Sequence, residues 1–433
     1  SSRMPPHNVE PVYNADVGST HSSTPANSEL VMVTGYTDIA KLAHTPTGEE
    51  GSGIYAFTLN SHSGKLTAEG SMQVSPNPAF LVKHPKLDIV YGTTECIDQP
   101  GEVLTFALDS NAPSKMKLMD RQQAGGRSTC YLKVSQDCST MTAVNYWDAK
   151  VCVLPLTESG EAKSVSFTAN HPGNEYVEQN NPDRTEHWQY RQRWPHSHCA
   201  EVEPYSSGQG RFYVCDLGRD SVMEYEMEKD QTLRRTGEVK LQAGLGPRHC
   251  VFHPRVKACF IVNELTSSVS VYKYNKKELD GGEEEASTPG ALLEHVQTLS
   301  TLPVDWQDKQ TIKNGVWKAA SHCSEIRIHP SGRLLFVGNR GHDSLAVFKI
   351  DERKGGELTL ACIQPSNGEC PRNYNFSATG QWCVIGNQNS NNVSVFEVDV
   401  DNGTLALKSQ LPCPSPNYVY FIPKSTLVPS TGN

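Results

Sequence analysis

Among the side chains of this sequence with the types needed for proton transfer and charge stabilisation are four that sit in short motifs. They are His198 in "PHSH", Arg248 in "GPRH", Glu264 in "NEL" and Arg340 in "NRGHDS". Imidazole and carboxylate groups are bases able to take a proton from water. Guanidinium forks pair bidentately with a carboxylate, a phosphate or an oxyanion. A carboxylate flanked by arginines stays ionised but loses basicity. That shifts the proton-transfer role toward His198 and leaves Glu264 to orient it or a water. Arg248 and Arg340 then suit a developing oxyanion and an anionic group on a substrate. The four lie far apart in the chain, so a fold must gather them.

The stretch "GPRHCVFHPRVKACFIVNELTSSVSVY" (246–272) indicates which fold. Two apolar runs flank a polar turn, and a hairpin would return Arg248 and Glu264 to the same end. The layout recurs in "IRIHPSGRLLFVGNRGHDSLAVFKI" (326–350) and "YNFSATGQWCVIGNQNSNNVSVFEV" (374–398), and more loosely over 81–108, 132–156 and 200–227. Each copy reads strand, turn, strand, turn, strand, with a variable fourth segment such as "GEVKLQ" (237–242). No helical period is sustained, so the chain is an all-β repeat array. The chain ends supply one further copy. "SPNYVYFIP" (415–423) reads as a first strand without partners; "ELVMVTGY" (29–36), "GIYAFTL" (53–59) and "KLTAEGSM" (65–72) read as later strands without a first. Joining them closes a ring and removes the open edge. The expectation is a seven-bladed β-propeller over residues 29–423, closed by strands from both termini. A flexible N-terminal extension (1–28) and a C-terminal tail (424–433) flank it, and residues 278–316 read as one long loop. A two-sheet sandwich would leave the repeated copies and the complementary ends without a reason.

Counting back six residues from each first turn's Pro or its substitute gives one ring of positions: Ala79, Cys130, His198, Arg248, Ser324, Arg372 and Asn417. Counting forward to the end of each second strand gives another: Glu95, Tyr146, Leu217, Glu264, Arg340, Gln388 and Tyr36. Both rings should line one mouth of the central channel. Charged groups gathered in a partly desolvated pocket are costly unless paired, and such clusters often mark functional sites. The plainer reading is a polar channel whose ion pairs merely bridge blades. Arg372, one blade beyond Arg340, suits a phosphate contact, and Glu95, Tyr146, His196 and Gln388 complete the expected substrate-binding set.

Net charge of −9 over 433 residues argues against nucleic-acid or membrane-surface partners. No apolar run reaches membrane-spanning length. Thirteen cysteines, none in a C-x-x-C pair and several inside apolar runs, read as small buried hydrophobes of a reduced, cytoplasmic protein. A monomer is expected. His196, His198 and Asp216 have side chains able to ligate a metal, but no further ligand follows from the spacing and two nearby arginines would repel a cation, so neither metal nor cofactor is expected. His249 and His253 read as hydrogen-bonded strand or turn residues.

The stretches "GPRHCVFHP…FIVNELTSSVSVY", "SEIRIHPSGRLLFVGNRGHDSLAVF", "NPDRTEHWQYRQRWPHSH" and "PRNYNFSATGQWCVIGNQNSNNVSVFEV" resemble the seven-bladed lactonase family. It includes bacterial propeller-type 6-phosphogluconolactonases and fungal carboxy-cis,cis-muconate cyclases. The resemblance runs from about residue 29 onward. It implies an active site of His198, Arg248, Glu264 and Arg340, all four of which lie in the two rings given by repeat counting. The implied activity is opening of a sugar-acid lactone, 6-phosphogluconolactone first, with a small anionic lactone as substrate. Cyclisation of a muconate is the second reading, and a non-catalytic interaction scaffold the third.

Overall fold

A computed structural model describes residues 27–109, 112, 114–169, 191–192, 194–206, 210–275, 292–307, 311–313, 316–318 and 320–423. Seven four-stranded antiparallel sheets carry the architecture, each a meander from an inner to an outer strand. Their inner strands, which number blades 1 to 7, are Pro78–Lys83, Thr129–Val134, Ser197–Val202, Pro247–Phe252, His322–Ile328, Pro371–Phe376 and Pro416–Phe421. Blade 7 takes its inner strand from the C-terminal end and its other three, Ser28–Gly35, Gly53–Asn60 and Leu66–Gln73, from the N-terminal end. Val33 pairs with Val419 and Met32 with Tyr420. This is the seven-bladed all-β propeller expected from the repeats, closed as expected. Among the described residues helical structure is confined to short 3-10 turns, such as Ile39–Lys41 and Glu352–Lys354, and no helix is long and apolar enough to cross a membrane.

The strand sequences follow from where each strand sits. Second strands such as Ala258–Asn263 (ACFIVN) and Trp382–Asn387 (WCVIGN) are buried along their whole length, because a neighbouring blade covers each face. Hence they read as continuous apolar runs rather than alternating ones. Outer strands such as Met116–Gln123 (MKLMDRQQ) are largely exposed, which explains their variability. The core consists of clusters between blades. Phe260, Val262, Val269 and Val271 of blade 4, for example, pack on Ile326, Leu335, Val337 and Phe348 of blade 5.

The first turns share a device. His84 Nδ1 accepts from the backbone N–H groups of Lys86 and Leu87, both at 3.0 Å. His253 does the same for Arg255 and Val256 at 3.1 Å, and its Nε2 reaches Gly332 O of blade 5 at 2.8 Å. His253 is therefore a turn cap that also links blades, as its position suggested.

The structure corrects one expectation. Within 278–316 lie the outer strand of blade 4, Leu293–Ser300, and the strand Thr311–Lys313, which forms a two-stranded hairpin with Val316–Lys318 at the end of that range. The outer strand is mostly exposed, so its sequence carries little apolar signal. The expectations for residues 1–26 and 424–433 lie outside the described residues. No disulfide joins any of the thirteen cysteines, and each is buried or partly buried.

Removing residues 28–36 should unfold the ring rather than trim an end. Val31, Met32 and Val33 are at most 1% exposed. At about 1.5–3 kcal/mol per fully buried apolar side chain, their loss is comparable to the net stability of a domain. The expected result in a thermal or urea scan is loss of the cooperative transition. An unchanged midpoint would mean that the closure contributes nothing.

Candidate active site

A β-bulge in each inner strand sets the first ring. The register shifts lie between Pro247 and His249, Ser197 and Cys199, and Pro371 and Asn373, so Arg248, His198 and Arg372 are each the extra residue. The remaining blades carry shifts at Ala79, Cys130, Ser324 and Asn417. A bulge re-aims the side chain it carries, and here the result is a row of seven positions around the channel.

The second ring sits where the second strands end. Backbone N–H groups of Glu95, Tyr146, Leu217, Glu264, Gln388 and Tyr36 donate to carbonyls of Asn77, Ser128, His196, Gly246, Cys370 and Ser415, just upstream of the inner strands. Arg340 is paired with His322 at the corresponding place in blade 5. Asparagines just before three of these residues anchor the strand ends to incoming loops: Asn145 to Ala124 O at 3.1 Å, Asn339 to Thr301 O at 2.9 Å and Asn387 to Ser366 O at 3.2 Å.

The two rings meet at Glu264, which is 3% exposed. Its Oε1 lies 2.9 Å from Arg340 Nη2 and 2.9 Å from Arg191 Nη2, and its Oε2 lies 3.4 Å from Arg248 Nε. Burial alone would raise the Glu264 carboxyl, but Arg340, Arg191 and Arg248 outweigh it and hold it well below the usual carboxylate range. Arg248 also donates from Nη1 to Ser324 O at 2.7 Å, and Arg340 from Nη2 to Cys323 O at 2.6 Å. Burial, then the neighbouring Arg340, pulls Arg248 down to about 10. His198 lies against this group. Burial, then Arg248 and His249, pushes its imidazole well below the ordinary value, so it is neutral near pH 7.

Arg372 forms a second cluster. Its Nη2 is 3.8 Å from Glu95 Oε2, and its guanidinium carbon lies 5.7 Å from the centre of the Tyr36 ring. Tyr36 donates its hydroxyl to Glu95 at 2.8 Å. Arg372 is 8% exposed and makes no hydrogen bond among the described residues. Gln388 contacts His44 Nε2 at 3.4 Å, and burial with Arg372 keeps His44 well below its usual value.

Tyr146 accepts from Arg191 Nη2 at 3.2 Å and stacks on His196, ring centres 4.5 Å apart. His196 Nδ1 is engaged with Tyr146 O at 3.1 Å, and burial lowers the ring to about 4. His196 thus backs Tyr146. Asp216, the third candidate ligand beside His196 and His198, accepts instead from His196 N, Ser197 Oγ and Arg219 N. The three do not converge. Among the described residues the one cluster with metal-ligand spacing is Cys199, Cys215 and Cys250, buried in apolar packing between blades 3 and 4.

All nine predicted site residues therefore surround one mouth. Residues the repeat count did not supply are Arg191, which enters from the segment before blade 3, His44 from a loop of blade 7, and the pair His249 and Glu325. Four arginines (191, 248, 340 and 372) face two glutamates (95 and 264), an excess of positive charge in a chain of net charge −9.

A seven-bladed propeller with a buried guanidinium–carboxylate–imidazole mouth is the class that fold and site define. The family model described as "Lactonase, 7-bladed beta-propeller" matches residues 31–421, and the chain belongs to that family. It is 30% identical over 381 residues to the 6-phosphogluconolactonase of Bacillus subtilis, covering 88% of this chain and 96% of that one. It is 27% identical over 363 residues to the 6-phosphogluconolactonase of Formosa agariphila, covering 82% and 91%. In structure it is similar to the periplasmic gluconolactonase of Pseudomonas aeruginosa, with a TM-score of 0.74, 21% identity and 92% and 99% coverage. That last likeness concerns the fold.

Proposed function

We propose that this protein hydrolyses a sugar-acid lactone, 6-phosphogluconolactone in the first instance, at the mouth formed by His198, Arg248, Glu264 and Arg340. The observation that carries the reading is the surplus of buried guanidinium groups beside a neutral imidazole, which suits an anionic ester. Water is the nucleophile and His198 takes its proton as the new C–O bond forms. The same proton passes to the ring oxygen as the ring C–O bond breaks. Arg248 and Arg340 stabilise the tetrahedral oxyanion, where electrostatic stabilisation is worth most. Glu264 stays ionised and fixes the arginines around that point. The names carried by the relatives at 30% and 27% identity support the same substrate class.

Arg372, buried and without a hydrogen bond among the described residues, is the group we assign to the substrate's phosphate. Such lactones open spontaneously, so the test is a rate above the buffer blank at fixed pH. Arg372→Ala should raise KM for the phosphorylated lactone by about 10- to 100-fold, the worth of a charged hydrogen bond, and leave plain gluconolactone nearly unaffected. The rate should persist in EDTA. No rate above blank with either lactone, together with cyclisation of carboxymuconate, would assign the cyclase reaction instead. Failure of every substrate would leave a scaffold.

A further inference from the structure

Behind His198 the channel holds a buried row of polar groups that the two mouth rings do not account for. His198 Nδ1 lies 3.0 Å from His249 Nε2, and His249 Nδ1 lies 2.8 Å from Glu325 Oε1. The three come from the inner strands of blades 3, 4 and 5, and none is more than 7% exposed. Glu325 is held from several sides: Ile326 N at 2.9 Å, Asn373 Nδ2 at 2.7 Å and Arg327 Nη2 at 3.4 Å. Burial would raise its carboxyl, but His249 and Arg327 bring it down to about 2, so it is ionised and can only accept.

One further contact fixes the direction of the chain. Arg248 Nη1 lies 3.4 Å from His249 Nε2. A guanidinium has no acceptor, so that nitrogen must present its lone pair. The neutral Nε2–H tautomer would set two N–H groups against each other and turn the Nδ1 lone pair on the Glu325 carboxylate, and the doubly protonated ring would add a positive charge beside Arg248. His249 therefore carries its proton on Nδ1, directed at Glu325, and its Nε2 accepts. The partner nitrogen, His198 Nδ1, must then be the donor, so the lone pair of neutral His198 is on Nε2. Nε2 makes no hydrogen bond among the described residues. The opposite polarity would place a proton on Nε2 and make His198 a donor, useless as a base.

We propose that His249 and Glu325 are positioning residues of this site: a hydrogen-bonded chain directed toward Glu325 holds His198 in the tautomer whose Nε2 is free to accept the proton of the attacking water. The chain also meets an electrostatic need. When His198 gains a proton it becomes a cation among Arg248, Arg340, Arg191 and Arg372, and Glu325 supplies compensating charge through His249. The far end of the chain lines a cavity of about 630 Å³, with Phe80, Tyr131, Arg327 and Tyr418 on its walls. Among the described residues the ion pairs of Glu325 are with His249 and Arg327, so this carboxylate does not pair directly with the mouth arginines.

This inference rests on His198 as the base, and its test separates the two. The variants are Glu325→Gln, His249→Phe and His249→Gln, each first compared with the wild type in thermal midpoint. A glutamine at position 249 can accept from His198 through its carbonyl and donate to Glu325 through its amide, whereas phenylalanine can do neither. Glu325→Gln and His249→Phe should lower kcat by about 10- to 100-fold with KM within about 2-fold, and His249→Gln should recover part of the loss. Independently of any substrate, ¹⁵N-histidine NMR of the wild type, with His198→Gln for assignment, should show His198 protonated on Nδ1 and bare on Nε2. Unchanged kcat in folded Glu325→Gln and His249→Phe, a loss falling on KM alone, or an Nε2-protonated His198 would overturn the proposal. If the wild type hydrolyses no lactone, the NMR result alone decides the chain.

Discussion

Glu264→Ala is expected to cost about 3–5 kcal/mol of folding stability, the range for removing one partner of a buried ion pair. Glu264 is the only carboxylate within 4 Å of Arg191, Arg248 and Arg340 among the described residues. Without it three guanidinium groups face one another at the mouth. The measurement is the urea midpoint at pH 7 with and without inorganic phosphate. Phosphate should restore more stability to the variant than to the wild type, because an anion can occupy the vacated charge position. A drop below about 1 kcal/mol would mean that the arginines are hydrated and indifferent to Glu264, the ordinary value for an exposed pair. The pH dependence has a definite sign. A carboxyl held below its usual range contributes stability that is complete above the unfolded-state value of 4.5 and fades as pH falls toward its folded value. Glu264→Gln should remove that part of the acid dependence.

Much of this site was legible because a repeat makes residues comparable. Arg248, Arg372 and His198 occupy a position filled elsewhere by Ala79 or Cys130, so packing does not require their charge. Glu264 and Glu95 follow, and Arg340 ends, second strands whose apolar runs give a clear end point. The bulges were not legible, because a shift of register leaves no mark in residue type. They explain the omission of His249 and Glu325. Period-two alternation allows one of two successive residues to face the channel, whereas a bulge at Arg248 lets both Arg248 and His249 do so. Arg191 was missed for another reason. It enters from a connection outside any repeat copy, so no counting rule reaches it, although "YRQRWPHSH" places it seven residues before His198. The outer strand Leu293–Ser300 was hidden by its exposure, since solvent-facing strands need no apolar alternation.

His198→Ala is expected to lower kcat by about 10²–10⁴, the span of a general base, in a variant whose thermal midpoint stays close to that of the wild type. His198 is buried at the mouth, and its removal leaves no charge unpaired, unlike Glu264→Ala. Arg248→Ala or Arg340→Ala should cost about 10² or more in kcat/KM, since each guanidinium contact strengthens as the oxyanion forms. The pH profile distinguishes base from bystander. Burial with Arg248 and His249 lowers His198, while Glu264 opposes them and Arg372 adds to them. Since the active form is the neutral imidazole, the acid limb of kcat/KM should lie below pH 6.5, the ordinary histidine value. Glu264→Gln removes a carboxylate charge that favours the protonated ring, so it should move that limb further toward acid. An acid limb above 6.5, or one that survives in His198→Ala, would place the proton on another group. The hydrolytic role would then pass to a water activated by the arginines alone.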